Sequence, residues 1–144
     1  MKKVYAIVIP VDVDFITFSA IYHKVYLDRK NAEKQLTAMR SAGFKNYDII
    51  ELELYGAWND KTNISVAYYG YLYIIDEADE EKRLLVSSDC LFTNKNHLRT
   101  ECLTTRCSEY AKVVKCNEAM TNYTFRETLS GGRFQVRIRA VTIV

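Results

Sequence analysis

The chain has 144 residues, 49% of them apolar, and a formal charge of +2. That suits one domain, residues 1–144, with enough apolar material for its own core, and it excludes a molecule strongly basic or acidic as a whole; any basic surface must be local. One proline and five glycines argue against long linkers and disorder.

Lys2-Lys3 and the apolar run Val4 to Val11 outline a signal peptide, but Asp12 and Asp14 end the run and no small-residue cleavage pattern follows. Val4 to Ile9 is read as a first strand, and the cytoplasm as the expected compartment, with the four cysteines reduced. No run approaches the roughly 18 apolar residues of a membrane-spanning helix, so no membrane contact is expected. Phe15 to Leu27 is aromatic and β-branched and predicts a second strand.

A helix is predicted over 29–42. Asp28 is a good N-cap, Ala32, Leu36 and Met39 form one apolar stripe, and Gly43 stands where a left-handed residue ends a helix. From Tyr47 to Tyr55, Ile50, Leu52 and Leu54 alternate with Glu51, Glu53 and Tyr55, the pattern of a half-buried strand. A tyrosine-rich strand over 65–75 follows, expected antiparallel to it. The acidic stretch 76–81 reads as a loop and 83–86 as a short return strand.

Residues 88–120 read as an irregular helix followed by a strand near 110–116. From 121 onward the pattern is a hairpin, with a tight primed turn at Gly131-Gly132 and a last strand whose apolar face holds Phe134, Val136, Ile138 and Ala140. The fold class expected is α+β: a mainly antiparallel sheet with one well-defined helix packed on it and a second, irregular helical region. A ferredoxin-like β-α-β-β-α-β core with an added hairpin satisfies that order.

Catalytic equipment is sparse. No glycine-rich phosphate loop occurs. His97 is poorly spaced from Cys102 for a nucleophile–base pair. Cys90, His97, Cys102, Cys107 and Cys116 cluster by count but lack the close Cys-x2-Cys pairs of structural zinc sites; free thiols, a metal site and a disulfide all stay open. The pairs Asp12/Asp14 and Glu51/Glu53 have no third ligand or histidine beside them. The expectation is therefore no catalytic residue, no metal and no cofactor.

Two stripes remain. Tyr69, Tyr71 and Tyr73 occupy one side of an extended strand; Arg133, Gln135, Arg137 and Arg139 occupy one side of another. Tyrosine and arginine dominate binding hot spots, which points to a contact surface. The expected binding residues are Tyr69, Tyr71, Tyr73, Arg133, Arg137 and Arg139. The function expected is a non-catalytic binding protein acting on a protein partner, in the manner of the small inhibitors of host factors carried by phages and mobile elements. The second reading is a nucleic-acid or nucleotide-binding module using the same stripes. The competing structural reading has the rings covering a second layer and the arginines pairing with Glu51 and Glu53 across strands. Oligomeric state, and whether the stripes share a face, are not decided by the sequence.

Overall fold

Alternation decides the first strand. The computed structural model describes residues 2–11, 14–56, 64–75, 81–83, 86–87, 90–106 and 111–144. In β1 (Lys2–Val11), Val4, Ala6 and Val8 point into one apolar cluster, and Ile7 points the opposite way into another. A strand buried on both faces lies between two layers. It pairs antiparallel with β2 (Asp14–Tyr26), through register shifts, on one side.

Helix α1 (Arg29–Ser41) covers the outer face of these strands with Ala32, Leu36 and Met39, against Ile7 and Tyr26. Its ends follow the sequence signals. The Asp28 carboxylate accepts from the Lys30 amide at 3.0 Å. Gly43, at φ +100°, lets the Phe44 amide return to the Met39 carbonyl at 3.0 Å and its own amide reach that of Arg40 at 3.1 Å, a Schellman closure.

Strand β3 (Asp48–Tyr55) lies on the other side of β1, with Leu52 and Leu54 turned inward. Strand β4 (Val66–Ile75) runs antiparallel to β3 without pairing with it, because β7 (Cys90–Phe92) lies between them. The short β5 (Glu81–Arg83) pairs with β4, and β6 (Val86–Ser87) with β2. Residues 76–80 of the expected loop lie outside the described residues. Helix α2 (Lys95–Arg106) starts at Asn94, whose side-chain oxygen accepts from the Asn96 amide at 2.8 Å. Strands β8 (Ala111–Cys116), β9 (Asn122–Glu127) and β10 (Arg133–Ile143) complete the chain.

The expected fold is corrected here. The order β1-β2-β10-β4-β7-β3 returns to β1 and makes a closed, mixed six-stranded barrel, where an open ferredoxin-like sheet with a helix packed on it was expected. Closure depends on two parallel contacts, β10 with β2 and β3 with β7. Inside lie Val4, Ala6, Val8, Phe18, Val25, Leu52, Leu54, Ala67, Tyr69, Leu91, Val141 and Ile143.

The ladder between β4 and β10 is longer than the barrel needs. It runs from Thr142 opposite Val66 to Arg133 opposite Ile75. Its lower part is barrel wall. Its upper part is the centre of an antiparallel sheet, β5-β4-β10-β9-β8. Helix α2 covers one face of that sheet: Leu98, Cys102 and Leu103 pack with Tyr123, Phe125, Phe134, Val136 and Ile138. The β9–β10 turn also differs from expectation. It spans residues 128–132, and only Gly131 takes positive φ, at +70°. Ala140 is exposed, and the buried residues beyond it are Val141 and Ile143, on the other phase of the strand.

Gly56, just past β3, has φ +124°, and a Cβ there would collide with the Thr93 hydroxyl oxygen. Thr93 cannot easily move: its amide donates to the Tyr55 carbonyl at 2.9 Å, and its hydroxyl donates to the same carbonyl at 3.3 Å. Gly56→Ala is expected to cost about 1–3 kcal/mol from backbone strain and this collision. Urea unfolding measures it; a neutral result would mean the 55–56 backbone relaxes without loss.

Candidate functional site

The face of the upper sheet opposite α2 is built by register. Directly opposed residues on neighbouring strands project to the same side. Along β4 and β10 the pairs are Tyr69 with Arg139, Tyr71 with Arg137, Tyr73 with Gln135 and Ile75 with Arg133. The tyrosine and arginine stripes are therefore register partners in a single ladder. The same face continues across β9, where Arg137 faces Asn122, Gln135 faces Thr124 and Arg133 faces Arg126. It continues onto β8, where Arg126 faces Lys112 and Thr124 faces Lys115.

The centre of this face is organised by hydrogen bonds. Arg137 Nε donates to Gln135 Oε1 at 3.0 Å, and Gln135 Nε2 donates to Thr124 Oγ1 at 3.1 Å. Arg139 Nη1 donates to the Ile138 carbonyl at 3.0 Å and to Asn122 Oδ1 at 3.4 Å. Thr124 is buried, while Gln135, Arg137 and Arg139 are half-buried. Arg133 and Arg137 each make an additional interaction. The rim is open: Arg133, Arg126, Lys112 and Lys115 are exposed.

Six predicted binding residues thus fare differently. Tyr69 is 6% exposed and belongs to the barrel core. It sits where the polar face becomes barrel interior, since the residue after Arg139 in the same phase is the buried Val141. Tyr71 and Tyr73 share its phase in the register, and their side chains lie outside the described residues. Arg133 is on the rim, and Arg137 and Arg139 are in the hydrogen-bonded centre. The alternative pairing of the arginines with Glu51 and Glu53 does not occur, because β10 does not neighbour β3 and Glu51 meets Lys3 at 3.7 Å.

Sequence reasoning missed Arg126, Lys112 and Lys115. The signal was present in Asn122-Tyr123-Thr124-Phe125-Arg126, where polar and aromatic residues alternate at strand period. Only the register with β10 shows which of these stand beside the arginines.

Comparison with protein-family models, with curated proteins and with solved structures gave no match to this chain. The remaining constellations stay apart. Among the described residues no group of three His, Cys, Asp or Glu is placed to hold a metal ion. Cys90 and Cys102 are half-buried and Cys116 is exposed, and Cys107 lies outside the described residues, as does Asp12. His97 stands by the Tyr55 ring, 6.3 Å between centroids. Burial raises the phenol pKa of Tyr26, with Tyr22 adding to it, and also that of Tyr123, where Cys116 adds and Arg99 opposes. Both phenols belong to the clusters beneath the helices, away from the polar face. Among the described residues no helix is long and apolar enough to cross a membrane.

Proposed function

We propose that the chain is a non-catalytic binding module that holds a protein partner on the face of its β4-β10-β9-β8 sheet opposite α2. The observation that carries this reading is the register that makes the tyrosine and arginine strands partners in one ladder. A second support is the fixing of Arg137 and Arg139 by neighbouring side chains. An arginine already held in place loses less side-chain freedom on binding. The reverse side of the sheet is sealed by α2, so a partner would meet a rigid plate. Steric occupation of the partner's own surface is the mode of action such a plate supports.

The test is affinity capture from the native cell with tagged wild-type chain and with Arg137→Ala. The expected result is one partner retained by wild type and weakened at least about 30-fold by the variant, the loss of a hot-spot residue worth about 2 kcal/mol. The unfolding midpoint should shift little, since Arg137 is only half-buried. Retention of the same partner by Arg133→Ala, Arg137→Ala and Arg139→Ala alike would remove the reading.

A further inference from the structure

One corner of the α2 side carries groups that the polar face does not use. Strand β8 ends at Cys116, whose register partner on β9 is Tyr123, and Tyr123 belongs to the cluster beneath α2. Directly opposed residues share a side of a sheet, so Cys116 stands on the α2 side as well. The turn between the two strands is pinned: Asn117 Oδ1 accepts from the Thr121 and Asn122 amides at 2.8 and 2.9 Å. Within it Met120 holds a left-handed backbone, φ +54°, and Arg99 of α2 reaches its sulfur, Nη1 to Sδ 2.7 Å.

The polar groups of this corner are poorly matched. Tyr123 is 4% exposed, and its hydroxyl is buried with no hydrogen-bond partner among the described residues. A sealed donor left in that state is costly. Burial is the main cause raising its pKa; Cys116 raises it further and Arg99 lowers it, which places both side chains beside the hydroxyl. Arg99 is half-buried, and it donates to a thioether, a weak acceptor. It takes part in none of the three ion pairs among the described residues. Cys116 is exposed, with its sulfur 3.3 Å from the Asn117 carbonyl. An exposed thiol on an edge strand is ordinary by itself. A buried hydroxyl without an acceptor beside it, with a guanidinium against both, is not.

We infer that Cys116 is an oxidation site for hydroperoxides, and that Tyr123 and Arg99 hold the oxygen it acquires. The thiol proton leaves to solvent, and the thiolate sulfur attacks one peroxide oxygen. The S–O bond forms as the O–O bond breaks. Sulfur gives up an electron pair, the peroxide takes it, and the departing alkoxide or hydroxide collects a proton from solvent as alcohol or water. The product is a sulfenic acid, the first and reversible step of cysteine oxidation. Its oxygen is the strong acceptor that a tyrosine hydroxyl and a guanidinium both favour. The inference lies on the reverse side from the partner-binding face and does not depend on it.

The experiment treats the full chain with hydrogen peroxide, removes the excess, and traps sulfenic acid with dimedone after increasing delays. Mass spectrometry reads each cysteine. In wild type Cys116 is expected to be labelled ahead of Cys90, Cys102 and Cys107. Exposure alone predicts that much. The lifetime of the trappable state carries the rest: it should fall at least about tenfold in Tyr123→Phe, the effect of losing one hydrogen bond to a charged oxygen. Arg99→Gln should shorten it as well. Before oxidation, Tyr123→Phe should unfold at the wild-type midpoint or above it, because it deletes an unpaired buried hydroxyl. If it unfolds earlier, Arg99→Gln, at a half-buried helix position, decides alone. First labelling at another cysteine overturns the site, and so does oxygen gained by Met120 before Cys116. A lifetime unchanged by both variants overturns the inference and leaves Cys116 an exposed thiol only.

Discussion

Replacing Phe125 by alanine is expected to lower the unfolding free energy by about 3–5 kcal/mol, the range for truncating a fully enclosed phenylalanine. Phe125 is 0% exposed and lies against Leu98, Tyr123, Val136 and Ile138 beneath α2. Its ring stacks on that of its cross-strand partner Phe134, with centroids 5.0 Å apart and planes 1° from parallel. The cavity cannot collapse cheaply, because the rings are held from below by two strands and from above by a helix. A domain of this size has a total stability of about 5–15 kcal/mol, so the loss is a large share. The consequence reaches the far side of the sheet. Thr124 and Arg126 flank Phe125 on β9 and project oppositely, so a loosened β9 misplaces the polar face and partner capture should fall too. Urea unfolding followed by circular dichroism gives the first quantity. Leu129→Ala, at an 86% exposed turn position, is the control and should stay within about 0.5 kcal/mol of wild type. A loss below about 1 kcal/mol at Phe125 would show that α2 does not cap this sheet tightly.

How much of this could be read from the chain differs between its halves. Helix α1 was legible at both ends, because Asp28 and Gly43 act through bonds to residues only two to five positions away. The hairpin of β9 and β10 was legible for the same reason. The barrel was not. Its closure joins Val25 to Ile143 and Glu53 to Cys90 in parallel, contacts between segments far apart in sequence with no local residue pattern to announce them. β7 was overlooked because three residues, Cys90 to Phe92, are too few to show a period. The candidate face divides likewise. The arginine stripe follows from period-two alternation within one strand. Its placement beside the tyrosine strand follows from the β4–β10 register, which fixes which residue opposes which. The burial of Tyr69 follows from neither: alternation places it on the right face, but that face passes from polar sheet to barrel interior between Arg139 and Val141.

That passage identifies one narrow seam of the barrel and the second large effect. β10 reaches β2 through two register pairs, Thr142 with Lys24 and Ile143 with Val25. The backbone bonds at this end are Ile143 N–H to the Ser65 carbonyl at 2.8 Å, Val144 N–H to Val25 at 2.9 Å, and Leu27 N–H to Val144 at 3.0 Å. So short a seam depends on the side chains behind it. Ile143 is 6% exposed and, with Val141, brings β10 into the cluster of Val4, Val25 and Leu52. Ile143→Ala is expected to cost about 2–5 kcal/mol, as for other large-to-alanine core changes. The backbone donors of the seam stay chemically intact, so hydrogen exchange can separate local from global opening. If the seam opens first, the Leu27 and Val144 amides lose protection while the antiparallel β1–β3 ladder, Lys2 to Val8 against Asp48 to Leu54, keeps most of its own. If all these amides lose protection together by the same factor, the barrel opens as one cooperative unit. The narrow parallel contact would then be no weaker than the antiparallel ladders around it.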